Sequence, residues 1–306
     1  MRVLIAIDGS SHGFEAAQQA SMLLSAASDR VAFYYSPPEM PGRAIIEGTP
    51  SVLERARAAL VDTVLQEARA RLPIQLRENT ESIIGTQRPA HGIVVAARTW
   101  KADMVVVGAR GLGPIKRMLL GSVSRSVVHE AETPVLVARP RPHPERKYLK
   151  VLVACSGASE CEWLGEVVRQ FTWPASSIGR TISIVPSFFA GEIPQWLEEQ
   201  ARSPQADSLS QAWVLEHEAE LTAKREEMAA CHDRLPEPFR ASTPLILEGH
   251  PANKILDAAA REEADLIVMG THVHGALARM LVGSTCEAVL SHASCSLLVV
   301  PDHEKP

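Results

Sequence analysis

The sequence predicts an α/β fold: two tandem, doubly wound domains, each built on a five-stranded parallel sheet of Rossmann-like type. Three observations predict it. The chain repeats itself, short apolar runs alternate with longer helical patterns, and those runs show no polar alternation. In the repeat, VLIAIDGS (Val3 to Ser10) matches VLVACSGA (Val151 to Ala158), and ADMVVVGARG (Ala102 to Gly111) matches ADLIVMGTHV (Ala264 to Val273). The run LLGSVSRSVVHEAETPVLVA then matches LVGSTCEAVLSHASCSLLVV. A repeat of this length is a duplicated domain and not a short-period solenoid. The second copy holds extra residues around Gly191 to Ser210, where Pro194 and Pro204 indicate a lid or surface loop.

The elements follow in order along the first copy. Val3 to Ile7 is a β-rich run, and Gly13 to Ala27 has helical spacing. Val31 to Tyr35 is a second strand, and Val52 to Arg71 is a long helix rich in Ala, Arg and Glu. Ile74 to Arg77 with nearby residues is expected to make the third strand. Pro89 opens the next helix, at a position where its missing N–H costs little. Met104 to Val107 and Val135 to Val137 complete the five strands, and Ala212 to Arg234 is the second copy's matching long helix. Runs such as MVVV fit strands covered on both faces. Alternating β and α then predicts parallel order with right-handed crossovers. The prolines and charges of RPRPHPERKYLK make a stiff linker. The domains are accordingly placed at 1–140 and 150–306, with the linker at 141–149.

Bulk composition narrows the function. The 306 residues suit two domains of about 150 residues each. A net charge of −5 argues against a nucleic-acid partner, whose surface needs a basic excess. No stretch approaches the ~20 apolar residues of a membrane span, and MRVLIAIDGS lacks the apolar length of a signal peptide. A cytoplasmic protein is expected. The five cysteines (155, 161, 231, 286 and 295) are odd in number and include no CxxC. They predict buried, reduced thiols, with neither a zinc site nor a disulfide framework. His272 and His274 lack the ligand partners a metal would need, so no metal site is assigned.

The chemistry concentrates after the first copy's fourth strand, in GARGLGPIKRMLLGSVSRSVVHE. Gly108, Gly111 and Gly121 follow a G-x2-G-x9-G spacing, with Ser122 next. Glycines at a strand's C-terminal end let backbone approach a phosphate with no Cβ in the way. Gly121 and Ser122 then open a helix whose unpaired N–H groups and positive dipole end favour an anion. Ser122 and Ser124 add hydroxyl donors. Asp8 ends the first strand where open α/β sheets bind ligands, and its carboxylate can accept from ribose hydroxyls or an adenine amine. Each feature alone is as well explained by a turn or an N-cap; their combination favours a nucleotide.

This arrangement resembles the universal stress protein family over nearly the whole chain, as a tandem pair. The opening VLIAID, the block ADMVVVGARG and the run LLGSVSRSVVHEAETPVLVA carry the resemblance. It implies an adenine-nucleotide-binding fold of five parallel strands, with ATP, with or without Mg, as the ligand. Carried over by position, the site residues are Asp8, Gly108, Gly111, Gly121, Ser122, Val123 and Ser124. It also implies pairing through the last strand, Val135 to Ala138 and Leu297 to Val300, either within the chain or in a homodimer.

The second copy departs from the pattern. Ser156 stands where Asp8 stands, and Val273 replaces the middle glycine, while Gly270, Gly283, Ser284 and Thr285 remain as weaker candidates. The expected function is a nucleotide-binding regulatory protein of the stress response, with no catalytic residue assigned and at most weak ATPase turnover. No P-loop and no Ser–His–Asp set accompanies the loop. Two alternatives stay open at this point: a slow ATP-hydrolysing enzyme, and a nucleotide-free dimeric interaction scaffold.

Overall fold

A computed structural model describes residues 1–38, 52–109, 120–186, 208–271 and 282–301, together with 195, 196 and 199. Packing divides the chain into two units. The first takes in the described part of 1–141 and a strand at Ser296–Val300; the second takes in that of 142–270 with 283–295. The long insertion of the second copy falls largely outside the described residues.

In the first unit β1 (Arg2–Ile7) leads to α1 (Ser11–Ser21), β2 (Arg30–Tyr35), α2 (Val52–Ala70) and α3 (Ile74–Arg77). Next come β3 (Thr80–Ile84), α4 (Pro89–Trp100), β4 (Met104–Gly108), α5 (Ser122–Glu130) and β5 (Val135–Ala138). The strands lie in the order β3-β2-β1-β4-β5, all parallel. Val3, Leu4, Ile5, Val105 and Val106 are fully buried, as runs covered on both faces require. The order reverses between β1 and β4, and that switch point is where such sheets open a ligand crevice at the strands' C-terminal edge.

The second unit repeats the plan with β6 (Lys150–Ala154), α6 (Ala158–Arg169), β7 (Ile178–Val185), α7 (Ser208–His232) and α8 (Glu237–Arg240). It continues through β8 (Leu245–Glu248), α9 (Pro251–Arg261), β9 (Leu266–Gly270) and α10 (Ser284–His292). Its strands run β9-β6-β7-β8, again parallel. The tenth strand, β10 (Ser296–Val300), packs in the first unit, antiparallel to β5 with Leu298 opposite Leu136. Both strands are the ones that the family resemblance implies for pairing. Among the described residues no helix is long and apolar enough to cross a membrane.

Two expectations are corrected. Residues 74–77 are helical, and the third strand is Thr80–Ile84. Pro73 starts the short helix, Leu76 is buried in the core, and Arg77 closes the preceding turns by donating to Leu72 O and Ala70 O, each at 2.8 Å. The true strand reads TESII, too polar to stand out as an apolar run. The cysteines are the second correction. Cys155, Cys286 and Cys295 are buried thiols, but Cys161 and Cys231 form a disulfide joining α6 to α7. Their separation of 70 residues hides the pairing, which only the packing of the two helices creates.

Candidate functional site

The turn after β1 is built around Asp8. Gly9 takes φ +82°, a left-handed conformation that favours glycine. Ser10 then caps α1, its Oγ accepting from Gly13 N at 3.1 Å. Ser10 also donates to Asp8 Oδ1, from its N at 3.0 Å and from its Oγ at 2.5 Å. The carboxylate is thereby fixed over the start of the helix while remaining half-exposed. Gly13 is what makes room for it, since a Cβ there would lie 3.0 Å from Asp8 Oδ1. Tyr35, opposite Ile7 at the end of β2, has its hydroxyl pKa raised by burial and, next, by the Asp8 charge. It stays a protonated donor at neutral pH.

Gly108 stands at the end of β4, level with Ile7 when the register Ile5↔Val106 is extended. The chain then leaves and returns: Ala109 N donates to Ala138 O, and Gly121 N donates to Ala109 O, both at 2.8 Å. That second bond brings Gly121 back beside the end of β4. Gly111, with Lys116 and Arg117, lies outside the described residues. Gly121 is the N-cap of α5 (φ −61°, ψ 146°) and offers no side chain to its first-turn N–H groups. Those of Ser122, Val123 and Ser124 precede the first intrahelical bond, from Arg125 N to Gly121 O at 3.0 Å. Ser122 is exposed, whereas Ser124 is buried and donates its hydroxyl to Gly108 O at 2.6 Å. Ser124 therefore ties α5 to β4 through its hydroxyl. The structure brings Asp8, Gly108, Gly121, Ser122, Val123 and Ser124 to one edge of the sheet.

The second unit treats the same edge differently. Ser156 donates to Glu160 Oε2 from both its N (2.8 Å) and its Oγ (2.7 Å). A Cβ on Gly270, the counterpart of Gly108, would lie 2.7 Å from Glu160 Oε1 and 2.7 Å from the Trp163 ring. Side chains of α6 thus fill the space beside Gly270. From α7, Glu227 Oε1 accepts from Ala158 N at 2.6 Å, and Lys224 Nζ donates to Ser156 O at 3.0 Å. The Lys224 ammonium, and then the Ala158 N–H, hold the Glu227 carboxyl below its ordinary range. Gly283, Ser284 and Thr285 open α10 as their counterparts open α5, with Gly283 at φ −60° and ψ 152°. Val273, His272 and His274 lie outside the described residues. Sequence reasoning misses Ser10, Glu160, Lys224 and Glu227. Ser10 has a signal, a helix-capping residue two positions after an Asp-Gly turn; the other three are ordinary helix charges until the fold places them.

A helix start without a side-chain cap beside a strand-end carboxylate, on this sheet order, defines an open α/β protein with a candidate site at its switch point. The model of the universal stress protein family matches residues 1–139 and 198–301, and the chain belongs to that family. A universal stress protein of Mycobacterium tuberculosis is 31% identical over 201 residues, 65% of this chain and 62% of that protein's length. The chain thus spans less than two thirds of that relative. A Thermus aquaticus universal stress protein is 39% identical over 140 residues, covering 45% of this chain and 97% of its own. Among solved structures, an Archaeoglobus fulgidus universal stress protein aligns over 99% of this chain and 97% of its own, with a TM-score of 0.59 at 18% identity. That likeness concerns the fold.

Proposed function

We propose that the first unit binds ATP, with or without Mg, and that the chain is a cytoplasmic, nucleotide-responsive regulatory protein of the stress response with little or no turnover. The observation that carries the reading is the α5 N-terminus, capped by a glycine, on the same sheet edge as the half-exposed Asp8 carboxylate. Phosphate oxygens suit the N–H groups of Ser122, Val123 and Ser124, with the Ser122 hydroxyl adding a donor. The Asp8 carboxylate, oriented by Ser10 and half-exposed, suits ribose hydroxyls or an adenine amine as an acceptor. Among the described residues no group of three or more His, Cys, Asp or Glu could hold a metal, so Mg would arrive on the phosphates with its own waters. In the second unit the equivalent space is filled by Glu160 and Trp163, and its carboxylates repel phosphate; the proposed stoichiometry is one nucleotide per chain. Calorimetric titration of the purified chain with ATP tests this. One site is expected, and no heat at millimolar ATP would overturn the reading.

A further inference from the structure

Two helices of the second unit are fastened over the β6–α6 turn. On one face of α7, Lys224 holds the Ser156 carbonyl, Glu227 holds the Ala158 N–H, and Cys231 is bonded to Cys161. These three successive contacts fix residues 156–161 to α7. The first copy has no such crosslink, since no cysteine precedes Cys155. A Cβ on Gly9 meets Val64, and one on Gly157 meets Glu227, so Ala68 corresponds to Cys231 and Gly13 to Cys161.

A side chain at the crosslink's position would also crowd the first unit's carboxylate. A Cβ at Gly13 would sit 3.0 Å from Asp8 Oδ1 and 3.4 Å from Asp8 N. Replacing Asp8 by Ser156, whose hydroxyl turns to Glu160, clears the place that Cys161 occupies. The serine at 156 and the sulfur bridge at 161 thus fit the same turn together.

We propose that Cys161–Cys231 is a redox-responsive clasp, opened by a dithiol reductant, that sets whether α7 stays fixed to the turn of the second unit. Both cysteines are buried, so a local opening of α7 from the turn precedes the attack of the reductant's thiolate on Cys231 Sγ. The protein S–S bond breaks and Cys161 leaves as a thiolate. The reductant's second thiol then displaces Cys231 from the mixed disulfide. Two electrons and two protons have passed to the protein pair, and the reductant ends as its own disulfide. Cys155, at the same turn, does not intercept the exchange: burial, and then the Glu160 charge, push its thiol well above the ordinary range, so it lacks the reactive thiolate. Once open, residues 156–161 keep the partly exposed Lys224 and Glu227 contacts to α7, which water can replace, while His232 on Thr181 and His217 on Glu248 still hold α7 to the sheet.

The inference concerns the second unit and stands apart from nucleotide binding by the first, so its test uses no nucleotide. The full chain is prepared without reductant, denatured, and labelled with maleimide before and after a dithiol. Three labels are expected before and five after, from five cysteines of which three are free. Native hydrogen exchange should then accelerate on reduction by roughly 10-fold or more in residues 156–161 and 224–232, with 3–17 unchanged, and reverse on reoxidation. The double variant Cys161→Ala, Cys231→Ala should match the reduced chain and ignore the dithiol. Five labels before reduction overturn the proposal, as does unchanged exchange after full reduction. Acceleration no greater in residues 156–161 and 224–232 than in the rest of the second unit overturns it too, because that marks a purely structural bridge. If the double variant does not fold, the reduced natural chain still gives the reading.

Discussion

The turns after β1 and β6 descend from one plan and have reached opposite ends. In the first unit Ser10 satisfies one oxygen of Asp8 and leaves the carboxylate half-exposed, with apolar Val64 behind Gly9. In the second, Ser156, Ala158 and Gly270 face Glu160, Glu227 and Trp163, all from the same unit. Even the shared glycine has changed its reason. Gly9 is needed for its positive φ, whereas Gly157 is extended at −170°, and a Cβ there would lie 3.0 Å from Glu227 Oε1. Duplication keeps whatever the backbone geometry demands. Polar groups that no ligand satisfies must find partners inside the protein, because an unpaired buried donor costs ~1–3 kcal/mol.

The comparison can be broken first at Gly121. Valine fits its backbone angles, so Gly121→Val should fold, yet its side chain would enter the proposed phosphate space and should weaken ATP roughly 100-fold, ~2.7 kcal/mol. Titration of ATP reads this, and Gly283→Val should leave the same titration untouched. The next effect belongs to the second unit: Cys161→Ala with Cys231→Ala should cost about 2–4 kcal/mol in denaturant unfolding, confined to that unit's transition. Asp8→Asn should weaken ATP by roughly tenfold, about 1.4 kcal/mol, through loss of charged acceptors. Ser156→Asp should not create a second site, since Cys161 and Glu160 already occupy the space. The smallest effect is in acid. Glu227 has a folded pKa below its ordinary 4.5, so its contribution is complete above that value and is lost as pH falls through the lower folded one. Below pH 4.5 the second unit should therefore weaken, and Glu227→Gln should flatten that slope in stability measured against pH.

The sequence displays the fold because strands buried on both faces must be written as unbroken apolar runs, and both copies repeat them. It displays Gly108, Gly121 and Ser122 because backbone turns and helix starts restrict residue choice. β3 stays hidden because an edge strand such as TESII can be polar, and Leu76 mimics a strand residue while packing from a short helix. Glu160 and Glu227 stay hidden because a charge on a helix has no local signature of the atom it will meet. Cys161 and Cys231 need the fold before they become neighbours.

Strand β10 carries a consequence for how the chain is made. β5 waits for a partner that arrives much later in synthesis, since Arg139 and Ser296, joined by Arg139 N donating to Ser296 Oγ at 3.0 Å, are 157 residues apart. During elongation the outer edge of β5 presents unmet N–H and C=O groups, the kind of edge that recruits strands from other chains. Gln19, which donates to the Arg139 carbonyl and accepts from Ser296 Oγ at 2.6 Å, rewards the right late-coming strand in the right register. A ribosome stalled before residue 296 would hold a sticky, unfinished sheet.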